Sequence, residues 1–113
     1  MVSARYVVAL DFFALVRRSF RDDSTENVVR GFADAGYLVV DEVDKGFGSQ
    51  TEFVYLYQLV NERYNRMLPT VLVTNAREDE LASVIGASTL SRVAGEGAII
   101  NLSGPDYRQR KTA

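Results

Sequence analysis

Two adjacent carboxylates at the end of an apolar run are the residues of this sequence best suited to chemistry. Tyr37-Leu38-Val39-Val40 leads directly into Asp41-Glu42. At the tip of a buried strand an Asp can hold a hydrated Mg²⁺, and the Glu beside it can orient or polarise a water for attack on a phosphate. A loop-capping Asp followed by a solvated Glu would leave the same pattern, so the pair is read together with what surrounds it. A second apolar run, Thr70-Val71-Leu72-Val73-Thr74, ends on Asn75, which by itself reads as a turn residue. A third group lies near the start of the chain, where Arg17, Arg18 and Arg21 surround Phe20. Such a cluster can grip single-stranded DNA by phosphate pairing and base stacking. It is also what a core Phe20 flanked by solvated arginines, offset by Asp22 and Asp23, would look like.

Composition removes several other chemistries. The 113 residues contain neither Cys nor His, so disulfides, Cys- or His-ligated zinc and His-based nucleophilic catalysis are excluded. Thirteen basic against fifteen acidic residues give a net charge of -2, so any contact with nucleic acid must come from a local patch. Hydrophobic residues at 47% suffice for one core and argue against disorder. No repeat, linker or membrane-length apolar run appears, which predicts a single domain over 1–113, no membrane partner and, by default, a cytoplasmic location.

The elements that would position the candidates alternate. Tyr6-Val7-Val8-Ala9-Leu10 reads as a strand over 6–10 covered on both faces. Asp11 would cap a helix from Phe12 to about Phe20, and Asp23 with Glu26 would box a second, from about Thr25 to Ala33. A strand over 37–41 follows, then a loop, 44–48. Ser49-Gln50-Thr51-Glu52 is an S-x-x-E box opening the longest helix, with Phe53, Leu56, Tyr57, Leu59, Val60 and Tyr64 at helical spacing and Pro69 beyond its end. Tyr55, Tyr57 and Tyr64 are therefore read as packing residues. A strand over 70–74, an acidic turn at Glu78-Asp79-Glu80, a helix ended by Gly86, a short helix from about Ser88 to Ala94 and a strand over 97–102 complete the reading. Apolar strands alternating with helices predict an α/β fold, a mostly parallel sheet with helices on both faces. In such sheets chemistry lies beyond the carboxyl ends of the strands, where Asp11, Asp41-Glu42 and Thr74-Asn75 fall.

From Tyr6 to about Arg110 the order and spacing resemble the bacterial helicase-loader ATPases, the DnaC/IstB-like branch of the AAA+ superfamily. The resemblance rests on LVVDEV, Asn61-Glu62-Arg63-Tyr64, the Pro-Thr opening of the third strand, Thr74-Asn75 and the final Asp106-Tyr107-Arg108. It implies a partial P-loop NTPase core in which Asp41 is the Walker B acid on the Mg²⁺ side and Glu42 the catalytic Glu. Asn75 would be sensor 1, Arg92 the arginine finger and Arg108 the sensor 2 arginine that touches nucleotide. It further implies ATP and Mg²⁺ as cofactors, and a single-strand-binding role for the segment carrying Arg17, Arg18, Phe20 and Arg21.

The sequence departs from that family in one respect. A P-loop reads G-x-x-x-x-G-K-[ST], and no Gly-Lys pair occurs here; Lys45-Gly46 is the reverse order. The first strand and phosphate-cradling loop of the family are missing from these residues, which argues against autonomous ATP hydrolysis. Two functions are therefore expected: a truncated helicase-loader-like ATPase domain in DNA replication or mobile-element transactions, or a nucleotide-independent module. The second would bind protein or single-stranded DNA and dock on a complete AAA+ partner or replicative helicase. The missing strand would also leave Val71 and Val73 on an open edge, which predicts self-association or a displaced last strand.

Overall fold

A computed structural model describes residues 3–46 and 48–98. Three strands, β1 (Ala4–Val8), β2 (Tyr37–Asp41) and β3 (Thr70–Leu72), form a parallel sheet in the order β1-β2-β3. Five α-helices are described: α1 (Ala9–Ser19), α2 (Thr25–Ala33), α3 (Gln50–Asn65), α4 (Leu81–Ile85) and α5 (Ala87–Glu96). Short 3₁₀ turns at Val43–Lys45 and Glu78–Glu80 complete the described elements. The expected α/β fold with a parallel sheet is therefore present. The strand expected over 97–102 and the arginine at 108 lie, from Ile99 on, outside the described residues.

The register places Tyr6 opposite Val39 and Val39 opposite Val71, with Val7, Val40 and Leu72 in the next row. Successive residues of a strand point to opposite faces. Val7, Leu38 and Val40 enter the core with Phe12, Phe13 and Val16 of α1, Phe32 of α2, and Leu56, Leu59 and Val60 of α3. Tyr6, Tyr37, Val71 and Val73, from the other set of rows, are exposed. All of the core just named thus lies on one side of the sheet.

The first strand and helix lie earlier than the apolar run suggests. The strand ends at Val8 and α1 begins at Ala9, with no side-chain cap and with Asp11 inside its first turn. The reason is periodicity: Ala9, Phe12, Phe13 and Val16 recur at spacings of three and four, and all are buried. Burying that stripe outweighs a carboxylate cap worth about 1 kcal/mol. For α2 the bounds match, yet the expected box is not made. Ser24 is the N-cap, its N–H and hydroxyl both donate to Asp22 at 3.3 and 2.6 Å, and Asp23 adopts a left-handed φ of 58°.

The start of α3 follows its sequence signal, with a twist. Ser49 Oγ accepts the Glu52 N–H at 3.2 Å, but the Glu52 carboxylate takes the Gly48 N–H at 2.9 Å and Arg17 at 3.2 Å. Near its end α3 carries Arg63, which is fully buried. Its guanidinium donates to the carbonyls of Phe32, Ala33, Ala35 and Pro69 and to Thr70 Oγ1, at 2.5 to 3.1 Å. These acceptors include carbonyls at the C-terminus of α2 that the helix itself leaves unpaired. One side chain therefore ties α2, α3 and the entry to β3 together, and burial lowers its pKa. Among the described residues no helix is long and apolar enough to cross a membrane.

Candidate functional site at the strand tips

The carboxyl ends of β2 and β3 lie side by side. Backbone pairing continues past Leu72, with Val73 N–H donating to Val40 O at 2.9 Å and Val43 N–H to Val73 O at 3.1 Å. This places Thr74-Asn75 beside the turn that follows the acid pair. Asp41 ends β2, half-buried, and Glu42 is exposed with a left-handed φ of 52°. Both oxygens of Asp41 carry an internal donor: Glu42 N–H reaches Oδ1 at 2.7 Å, and the Tyr6 hydroxyl donates to Oδ2. That contact is the leading cause of a raised Tyr6 pKa, followed by desolvation and the charges of Asp41 and Glu42.

The residue that joins the two strand tips is one the sequence did not single out. Asp44 Oδ1 accepts from Thr74 Oγ1 at 3.0 Å and from the Asn75 backbone N–H at 3.4 Å, while Lys45 Nζ lies 3.6 Å from Oδ2. Burial pushes the Asp44 carboxyl up, but bonds from its own backbone, Thr74 and Asn75, with the Lys45 charge, hold it below the usual carboxylate range. An Asp two positions after an acid pair, in a Gly-containing loop, reads from sequence as a solvated turn residue. Only the approach of β3 gives it partners.

The other candidates are not gathered at this tip. Arg92 lies on α5, where it donates to Asn61 Oδ1 at 2.6 Å and stacks 4.7 Å over the Tyr64 ring, both on α3. The Tyr64 pKa is raised, first by a hydrogen bond to Glu96. Arg17 pairs with Glu52, whose side chain is 4% exposed. Arg18 and Arg21 are exposed. Phe20 is 47% exposed and meets Tyr55 with ring centroids 5.8 Å apart, so it is not a core residue. Of the predicted packing tyrosines, Tyr55 and Tyr64 pack on Phe20 and Arg92 respectively.

Chemically, the tip offers hard oxygen donors. Among the described residues no group of three or more acidic side chains is arranged to hold a metal ion. Asp41 fits Mg²⁺ in the mode that ion prefers at phosphates, one carboxylate with the remaining positions filled by water and phosphate oxygens. For a triphosphate the fit is partial, because the tip supplies an acid pair and an amide but no glycine-rich backbone cradle. Two open grooves of about 590 and 600 Å³, the first lined by Tyr57, Ser88, Ser91, Arg92 and Glu96, include none of Asp41, Glu42 and Asn75.

No family model matches the chain. It is 25% identical to the replicative helicase loader DnaC of Escherichia coli K12 over 113 residues, 97% of this chain and 46% of that protein. The DnaC of Shigella flexneri gives the same figures. The chain thus spans about half the length of the curated relatives it matches. Among solved structures, AMPPCP-bound DnaA from Aquifex aeolicus aligns with a TM-score of 0.76 and 16% identity, covering 87% of this chain and 30% of that one. The crystal structure of the DnaC helicase loader aligns with a TM-score of 0.70 and 17% identity, covering 82% and 58%. The fold is that of part of an AAA+ domain, and the sequence resembles the DnaC helicase loaders.

Proposed function

We propose that these residues form the Walker B-to-sensor 2 portion of a helicase-loader-type AAA+ ATPase acting in DNA replication or in mobile-element DNA transactions. The observation that carries this reading is the joining of the two strand tips by Asp44, which sets Asn75 beside the loop of the acid pair, in a chain of which 97% aligns with about half of DnaC. Asp41 is the carboxylate for a hydrated Mg²⁺, and Glu42 polarises the attacking water. Asn75 orients that water or the terminal phosphate, and the sensor 2 role stays with Arg108 on the resemblance alone, since it lies outside the described residues. When bound, ATP and Mg²⁺ supply the phosphoryl group and the charge that neutralises it. The phosphate cradle has to come from outside these 113 residues, so the isolated chain is expected not to turn over ATP.

Arg92 then serves a neighbouring subunit, stabilising charge on its transferring phosphoryl group. Its contacts with Asn61 and Tyr64 fix the guanidinium on the α3–α5 surface. Mixing this chain with a full-length helicase loader should change the loader's ATPase rate, and Arg92→Ala should abolish the change. Mg²⁺-dependent turnover by the purified chain, lost in Glu42→Gln, would overturn the half-site reading. Among the described residues β3 is at the sheet edge, and Val71 within it and Val73 just after it are exposed, which supports self-association of the chain by strand pairing. Sedimentation at rising concentration tests it, and a monomer throughout would remove it.

A second reading, a nucleotide-independent module that docks on an AAA+ partner or helicase and contacts single-stranded DNA, draws support from the end of α1. There the exposed ring of Phe20 rests on the partly buried Tyr55, and the exposed Arg18 and Arg21 flank Phe20 in sequence, a combination that can stack a base and pair with phosphates. DNA binding that is indifferent to ATP, in a chain with no effect on a loader's ATPase rate, would favour this reading over the first.

A further inference from the structure

Tyr6 is an exposed aromatic on the sheet face that carries Asp41, and neither composition nor motif gives it a role. Its Cα pairs with Val39, and Asp41 lies two residues further along the same face of β2. Diagonal neighbours of this kind are within reach of an aromatic side chain. The phenol uses that reach to donate to Asp41 Oδ2, while the neighbouring oxygen is taken by the Glu42 N–H. The tip therefore holds its carboxylate from two sides. From β1 the phenol meets Oδ2, and from the loop the N–H of Glu42, whose φ is left-handed, meets Oδ1.

We propose that Tyr6 is a positioning residue for the acid pair, whose phenol holds Asp41 through Oδ2, one of the two oxygens a hydrated Mg²⁺ can engage, so that metal docking on that oxygen displaces it. This inference rests on the metal role assigned to Asp41 above. The phenol and a metal-bound water are both donors to that oxygen, and a hydrogen bond given up subtracts from the affinity of whatever replaces it. Tyr6 thereby keeps Asp41 aligned with Glu42 when no metal is bound and weakens the site for Mg²⁺ alone. Because Tyr6 is 62% exposed, removing its hydroxyl leaves the core intact.

The test is an NMR titration of the full chain with Mg²⁺ alone, the tyrosine Cζ carbons being labelled. The chain has six tyrosines, and the Tyr6 signal is the one absent from Tyr6→Phe. Asp41→Asn should move that signal, and Mg²⁺ should move it the same way in the parent chain. In Tyr6→Phe the Glu42 amide should report Mg²⁺ binding roughly three- to tenfold tighter, the range expected for one exposed hydrogen bond. A Tyr6 signal indifferent to Asp41→Asn overturns the proposal. Binding in Tyr6→Phe no tighter than in the parent, or a Tyr6 signal that Mg²⁺ leaves in place, overturns it while sparing the role of Asp41. No Mg²⁺ response at Glu42 in Tyr6→Phe overturns the proposal and that role together.

Discussion

Two polar regions of this molecule are built on opposite plans. Around Arg63, a charged group is fully buried and its guanidinium is met by carbonyls and a hydroxyl from three segments of chain. At the strand tips, Glu42 and Asn75 are exposed, and the hydrogen bonds that fix them run through their backbones, not their side chains. A buried polar group without partners costs about 1–3 kcal/mol, and more when charged, so the first region meets all three guanidinium nitrogens with protein acceptors and is closed to solvent. The second holds its backbone and leaves carboxylate and amide free to meet solvent. Among the described residues the buried Arg63 is architectural, while the candidate residues Glu42 and Asn75 at the strand tips are exposed and scaffolded by their neighbours.

The comparison breaks most sharply at Arg63. Arg63→Met removes the charge and leaves the Ala35 carbonyl without its donor, while Phe32, Ala33 and Pro69 keep the donors Ala35, Arg66 and Leu38, and a loss of about 3 kcal/mol is expected. Urea unfolding of the variant checks this; a midpoint close to the parent's would show that water replaces the guanidinium and that the region is not architectural. Next in size comes Arg17, which pairs with the buried Glu52. Arg17→Met leaves that carboxylate with the Gly48 N–H as its remaining assigned donor and should cost about 1–3 kcal/mol. Arg18→Met, at an exposed site, should leave the melt unchanged, which separates architecture from surface within one helix.

Asp44 sharpens the contrast from the side of the tip. Its pKa is held below the ordinary value, so its folded form binds a proton less readily than the unfolded chain does. The stability it contributes is present above about pH 4 and is lost as pH falls through the lowered folded pKa. Asp44→Asn should be less stable than the parent by about 1 kcal/mol at pH 7, with the difference shrinking below pH 4. Equal pH profiles for the two proteins would show that the carboxylate is merely solvated.

The smallest effect on the fold, and the most informative on function, belongs to Arg18 and Arg21. Replacing both with Ala should leave the unfolding midpoint in place and weaken single-stranded DNA binding at low salt. Removing two cations that pair with phosphate should flatten the dependence of log affinity on log salt by about 1.4. An unchanged slope would make this surface a solvated face. Arg17 is unsuited to the same experiment, because its loss disturbs Glu52 as well.

What the sequence determined about this protein is local. The apolar run before Asp41 makes β2 and delivers the acid pair to a strand tip, Ser49 caps α3 through Glu52, and α2 keeps the bounds its composition suggests. Each of these depends on residues within a few positions of one another, where propensity and short-range hydrogen bonds operate. The tertiary structure decided the rest. Ala9 starts a helix because Phe12, Phe13 and Val16 have a core to enter. Arg63 is buried because carbonyls 28 to 31 positions away are brought to it. Asp44 meets Thr74 across 30 positions and Tyr6 meets Asp41 across 35. A side chain's own neighbours in sequence hold no record of such partners, since they exist only once the sheet has set its register; the acid pair was legible before folding, and the residues that hold it were not.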